Sequence, residues 1–324
     1  MDFSQTLEAA RTGAAWCRRH DLGFISIRGK DRISFLHGLL SADIKKLELG
    51  RGTPACLLTA KGAIVAPMGV HHLPDEHLLV GPAEAMLPAA AMLTKMAPLS
   101  DCTVEVHDFA AWLVTGAKKA AVLESLAGRP CDPGPGGAQA FLTSAGSVGV
   151  LSDFHSGTDG VLFVVPDAAA DRFAGVLAGG VSDAGAVELP EAALETLRVE
   201  AGMPAWGREM DGDSFPQEVR LEAWVSHDKG CYLGQETMAR LRDRGHVNKV
   251  LAALRLDAPV AVGDAVEGAG GEKLGKVTSL APSSKAGAPL ALAVLKREAG
   301  SPGVPMFIWD GAKKVGASYQ ELPL

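Results

Sequence analysis

The stretch Lys229-Gly-Cys-Tyr-Leu-Gly-Gln-Glu236 sets one cysteine, Cys231, between Gly230 and Gly234 and runs straight into Thr-Met-Ala-Arg-Leu-Arg-Asp-Arg-Gly-His. From Thr237 to Lys249 the chain carries Arg240, Arg242, Arg244 and Lys249 against the single acid Asp243, inside a protein of net charge -7. The local sign opposes the global one. The spacing predicts a short helix over Gln235 to Asp243, closed by Gly245. Its N-terminus would point back towards Cys231, where the helix dipole and Lys229 favour an anion or a thiolate. The same residues also fit a tight turn whose cysteine is a small buried hydrophobe and whose arginines form a solvated face.

A chain of 324 residues, 47% apolar and 21% charged, has room for two or three globular domains. Aromatics make up only 5%, so small aliphatic side chains must fill the interior. The acidic balance argues against a protein that coats nucleic acid. Cys17, Cys56, Cys102, Cys131 and Cys231 contain no C-x-x-C pair, which fits reduced thiols and no sequence-local metal site. His71, His72 and His77 beside Asp75 and Glu76 imitate metal ligands, but Pro74 among them reads as a polar turn between strands. The segment from Leu78 to Leu99 is long enough to span a membrane. Glu84, Lys95, Pro82 and Pro88 instead make it a soluble, Ala-rich helix beginning near Ala83. The first residues hold Asp2 and Glu8 and no apolar run, so a cytoplasmic protein without membrane association is expected.

Working outward, Leu22 to Ile27 reads as a strand, followed by a turn at Gly29 and a helix from near Asp31, with Asp31 as a first-turn or cap residue and Phe35, Leu36, Leu39 and Leu40 at helical spacing. Thr53 to Leu58 and Ala63 to Val70 flank Thr-Ala-Lys-Gly as a hairpin. A second α+β unit runs from about Ala110 to Val187, interrupted by the Pro/Gly loop from Gly128 to Gly137. A helix from Glu191 stops at Gly202, with Pro204 confirming the stop. Beyond His246, short apolar segments broken by Gly, Pro and Ser suggest a small β-barrel starting near 246 to 250.

Lys-Gly-Cys-Tyr-Leu-Gly-Gln-Glu resembles the signature of the YgfZ-type folate-binding proteins, relatives of the glycine cleavage T-protein that act in iron–sulfur protein maturation. Looser matches follow in order: Ile-Arg-Gly-Lys-Asp-Arg-Ile-Ser-Phe-Leu-His-Gly, Leu-Leu-Thr-Ala-Lys-Gly-Ala-Ile, Arg-Val-Glu-Ala-Gly-Met-Pro-Ala-Trp-Gly, Phe-Pro-Gln-Glu, Arg-Gly-His-Val-Asn-Lys and Leu-Gly-Lys-Val-Thr-Ser. They cover most of the chain except about 75 to 190.

The resemblance implies an α+β fold of two ferredoxin-like units and a C-terminal β-barrel around a central funnel that holds tetrahydrofolate. The folate-binding region would be 1-246, with subdomains of about 1-105 plus 190-246 and about 106-189; the barrel would be 247-324. Glu200 falls where the superfamily places a carboxylate facing the pterin, and a carboxylate suits the neighbouring N–H donors of such a ring. Lys229, Gly230, Tyr232, Gly234, Gln235 and Glu236 would belong to the same folate site, with Cys231 as its reactive thiol. Arg240 and Arg244, which share a helix face, would hold the anionic tail.

One departure matters. T-proteins resembling this sequence carry an aspartate after the hairpin turn, whereas no acid lies between Lys61 and Leu73, and Ala66 and Pro67 stand where one is wanted. This favours an accessory protein for assembly or repair of iron–sulfur enzymes, with client or assembly proteins as partners. The alternative is a folate-dependent one-carbon transferase. A third reading, a protein- or RNA-binding module using the Arg240 to Lys249 face, needs no folate.

Overall fold

The computed structural model describes residues 1–243, 245–282, 285–309, 311 and 313–324. Helix α1 (Phe3–Thr12) starts at Asp2, whose carboxylate accepts from the Gln5 amide while the Gln5 side chain accepts from Asp2, so two orphan N–H groups are satisfied. Then follow β1 (Ala15–Arg19), β2 (Leu22–Arg28), α2 (Arg32–Leu39), β3 (Gly52–Leu58), β4 (Ile64–His72), β5 (Glu76–Pro82), α3 (Ala83–Met96) and β6 (Thr103–His107). Strands β3-β4-β5-β2-β6 make the first antiparallel sheet.

Period-two alternation decides what each face of that sheet touches. Ile25 and Ile27 of β2 and Ala66, Met68 and Val70 of β4 pack with Phe35 and Leu36 of α2 and Ala89 and Leu93 of α3. Phe24 of β2, with Leu78 and Val80 of β5, faces the other way.

The second unit contains β7 (Phe109–Thr115), α4 (Lys119–Ala127), β8 (Ala138–Thr143), β9 (Gly146–Ser152), β10 (Val161–Pro166), α5 (Ala170–Asp183) and β11 (Val187–Glu188). Its sheet runs β11-β1-β7-β10-β9-β8. The early strand β1 therefore belongs to this second sheet, antiparallel to β7 and parallel to β11. Phe24, Leu78 and Val80 meet Ala111, Leu113, Leu162 and Val164 of this sheet, together with Ala193 and Leu197 of α6 (Glu191–Ala201), in one apolar cluster. Each buried Leu, Val or Phe side chain in it contributes about 1.5–3 kcal/mol.

Helix α7 (Gln235–Asp243) leads into β12 (Lys249–Leu256), β13 (Ala265–Gly268), β14 (Lys273–Ala281), β15 (Leu290–Lys296), β16 (Met306–Trp309) and β17 (Lys314–Gln320). They close as β12-β15-β14-β13-β16-β17. The fold is the expected α+β arrangement of two sheets, the first antiparallel and the second mixed, with helices and a barrel.

The anticipated hairpin, α6 and α7 all form, and Gly202 ends α6 in the left-handed region at φ 68°. Asp31 takes the expected cap position before α2, but without a cap's hydrogen bond. Its carboxylate instead accepts from the Asp101 amide at 2.9 Å and ties α2 to the segment before β6. No helix among the described residues is long and apolar enough to cross a membrane.

A buried ionic knot fastens α6 to the barrel. Arg198 donates to both oxygens of Glu195, to Glu209 at 2.9 Å and to Ser279 of β14 at 2.6 Å. Ser279 in turn donates to Glu209 at 2.6 Å, and the Ala205 amide donates to the same carboxylate.

Candidate functional site

Helical spacing puts Ala193, Leu197 and Glu200 on one side of α6, the side that turns away from water. Glu200 is 4% exposed and lines a cavity of about 410 Å³ together with Arg11, Thr115, Lys119, Thr158 and Lys285. That volume lies within the range of small-molecule sites. Arg11, in the last turn of α1, donates through Nη2 to both Glu200 oxygens at 2.7 and 2.8 Å, and the Lys285 amide donates to Oε1 at 2.9 Å. Lys119 is paired with Asp159 at 2.7 Å. The corner that brings α1 and the start of α4 together depends on Gly116, at φ 100°. A Cβ there would lie 2.5 Å from the Gly13 carbonyl oxygen and 2.6 Å from that of Ala10.

The octapeptide forms a separate cluster. The Lys229 ammonium donates to the carbonyl oxygens of His37, Leu40 and Ala42 at 2.6, 2.6 and 2.9 Å, and lies 4.7 Å from the Tyr232 ring. Its three N–H donors are thereby engaged at the end of α2, where orphan carbonyls need partners. Burial lowers this amine to about 8. Tyr232 is buried among Cys56, Leu58 and Trp224, and the same burial pushes its hydroxyl up to about 12. Gly234, at φ 84°, sits so near the Thr59–Gly62 turn that a Cβ would approach the Thr59 carbonyl oxygen to 2.6 Å; Gly230 has room for one. Gln235 accepts from the Tyr232 amide at 3.2 Å. Glu236 and Arg240 form an exposed pair, and Arg244 lies outside the described residues.

The described residues lining the Glu200 cavity include none from the octapeptide and not Arg240. The structure joins Glu200 to Arg11 and Lys285, which the sequence reading did not single out. Arg11 stands 189 residues from its partner. The only local signal was a basic residue in the last turn of a helix, which ordinarily serves the helix dipole.

Cys231 is exposed, whereas Cys17, Cys56 and Cys131 are buried and Cys102 is half-buried. Burial raises Cys17 to about 11 and Cys56 to about 12, and moves Cys102 and Cys131 upward as well. Alkylation at neutral pH, followed by site-resolved mass spectrometry, is expected to modify Cys231 first. Lys229→Met is expected to leave that rate nearly unchanged, since the ammonium is committed to α2. Slower labelling of Cys231 than of the buried thiols would contradict this.

Among the described residues no three His, Cys, Asp or Glu side chains converge on a metal position. The segment between β4 and β5 is a turn closed by the Leu73 amide on the Glu76 carbonyl, with the rings of His72 and His77 stacked at 4.3 Å. His71 and His77 are 1% and 0% exposed, and their ring nitrogens have no partner among the described residues. Burial pushes both down to about 3. In β4, Ala66 is fully buried in the first sheet's core, and Pro67 lies opposite Cys56 of β3.

Comparison with known proteins agrees with this architecture. The GCVT N-terminal domain family matches residues 3–229. The aminomethyltransferase of Streptomyces avermitilis is 28% identical over 314 residues, covering 91% of this chain and 82% of that protein. The tRNA-modifying protein YgfZ of Sodalis glossinidius is 28% identical over 258 residues, covering 76% and 74%. The crystal structure of the glycine cleavage system aminomethyltransferase T from Bartonella henselae superposes with a TM-score of 0.88 at 22% identity, over 99% of this chain and 89% of that one. Since the family match spans well over half of the sequence, the protein belongs to the GCVT N-terminal domain family and has the aminomethyltransferase-like fold.

Proposed function

We propose that this chain binds a reduced folate and serves as an accessory protein in the assembly or repair of iron–sulfur enzymes, rather than as a conventional aminomethyltransferase. The observation that carries the folate reading is the Glu200 carboxylate, buried in a cavity of ligand size. It accepts hydrogen bonds only, so it suits the adjacent N–H donors of a pterin ring. Cationic Lys119 and Lys285 along the same wall suit the acidic remainder of a folate. Calorimetry with tetrahydrofolate should detect binding, and Glu200→Ala should weaken it by about 1.5–3 kcal/mol, the range for a hydrogen bond to a charged group. The absence of both heat and competition at millimolar ligand would remove the reading.

The accessory role is supported by the octapeptide's resemblance to YgfZ-type proteins, by the exposure of Cys231 and by the apolar β4. A second reading, folate-dependent aminomethyl transfer, draws on the similarity to an aminomethyltransferase over 91% of the chain. Positioned acid–base groups typically supply about 10²- to 10⁴-fold in rate. Without a carboxylate on β4, a reconstituted glycine cleavage assay is expected to show no useful release of methylenetetrahydrofolate. The same protein should restore iron–sulfur enzyme activity to a deletion strain, and Cys231→Ser should not. Robust turnover together with failed restoration would make the second reading the better one.

A further inference from the structure

We propose that Arg11 reads the carbonyl of the bound ring: a cyclic ligand with two N–H donors beside a C=O displaces the guanidinium from Glu200, and the guanidinium then donates to that carbonyl oxygen. This rests on the reading that Glu200 takes the donor edge of a reduced pterin.

Lone-pair capacity is the first argument. Glu200 already accepts twice from Arg11 Nη2 and once from the Lys285 amide. A carboxylate offers about four acceptor sites, so two further donors cannot simply be added. The guanidinium has to give way.

Arg11 is also poorly used where it stands. A strong arginine–carboxylate pair sets two nitrogens against two oxygens, but here one nitrogen serves both. The Nε of Arg11 is buried and has no partner among the described residues. A buried donor without an acceptor is costly and invites explanation. Its side chain is 20% exposed and lines the same cavity as Glu200, so it has space to shift. Gly116 holds the α1 end closely, so the movement belongs to the side chain and not to the helix.

The chemistry of the ring completes the case. A 4-oxo pterin presents an amino group, a ring N–H and a carbonyl in a row: donor, donor, acceptor. Glu200 answers the first two, and the third position calls for a donor beside the carboxylate, which is where the displaced guanidinium stands. A 4-amino analogue places N–H groups there instead, facing a cation that has only donors to offer, and its ring N3 carries no hydrogen, so Glu200 loses one of its two donors as well.

The test compares tetrahydrofolate with tetrahydroaminopterin, its 4-amino analogue, by calorimetry. Wild type is expected to bind the 4-oxo ligand tighter by well over about tenfold, because the analogue loses one charged hydrogen bond at Arg11 and another at Glu200. Arg11→Met should lower the ratio by about tenfold, leaving the preference of Glu200 for the ring N3–H, whereas a purely structural Arg11 would weaken both ligands alike and leave the ratio unchanged. Arg11→Gln serves if Arg11→Met fails to fold, with the same fall in ratio expected. Glu200→Gln should weaken both ligands. A wild-type ratio near one, or a ratio that survives Arg11 replacement, overturns the assignment of Arg11 while folate binding stands. Failure of wild type to bind tetrahydrofolate overturns the proposed function, and this inference falls with it.

Discussion

Glu209→Ala is expected to lower the free energy of unfolding by about 3–5 kcal/mol, the cost of breaking a buried ion pair by removing one partner. The Glu209 side chain is 0% exposed and accepts from Arg198, Ser279 and the Ala205 amide. Its removal leaves the 8%-exposed Arg198 side chain short of countercharge and strands two further donors. Glu195 remains as a partner of Arg198, which keeps the loss from exceeding that range. Glu209→Gln, retaining size and an acceptor oxygen, should fall between wild type and alanine. Glu236→Ala removes an exposed i,i+4 pair and should change little, because such pairs gain little in water. Urea denaturation at pH 7 measures all three. A loss below about 1 kcal/mol for Glu209→Ala would mean that the knot does not hold the barrel to α6.

The second large effect concerns acid. His71 and His77 are held neutral in the folded protein down to about 3, whereas an unfolded histidine titrates near 6.5. Between those values the unfolded chain binds more protons, so stability rises with pH across the window and is lost as pH falls from about 6.5 towards 3. Each histidine contributes a slope of up to about 1.4 kcal/mol per pH unit. Burial works against ionised Asp21 and Glu195, but Arg19 and Arg198 hold them below the usual carboxylate range. Their stabilisation is lost only below about pH 4, where an unfolded carboxylate takes up its proton. In the interval from about pH 6.5 to 4.5, His37 and His155, lowered by burial, add to the same slope, and Glu222, raised by burial, opposes it, so the contribution of His71 and His77 is read as a difference between variants. Replacing both residues, as in His71→Leu with His77→Leu, should flatten the curve there by up to two protons. An unchanged slope in the double variant would refute the assignment.

What the sequence made legible was local. Helix α7 spans the expected Gln235 to Asp243 because polar and apolar residues there alternate at helical spacing, and the hairpin turns where Thr-Ala-Lys-Gly stands. Glu200 was found through a motif, but its partner could not be, since α1 carries no mark that its arginine turns towards α6. Lys229 shows how neighbours in sequence mislead. Two residues from Cys231, it suggested a stabilised thiolate. In the fold its ammonium is drawn to three carbonyls at the end of α2, a stronger demand than that of an exposed sulfur. Likewise, the sequence reading did not mark β1, whose Ala-Trp-Cys-Arg-Arg has no period-two apolar pattern and whose partners lie in distant segments.

The place of β1 has a consequence for how the chain is made. All of β2 to β6 lie in sequence between β1 and its partner β7, so the first sheet is nested inside the second, like a parenthesis within a sentence. On the ribosome, β1 emerges early and stays unpaired while the whole inner sheet is synthesised. Its neighbour β11 arrives later still, so the outer sheet closes around a unit already made. A fragment cut after β6 would keep every strand of the inner sheet and leave the backbone of Ala15–Arg19 unpaired, an open edge of the kind that seeks another chain.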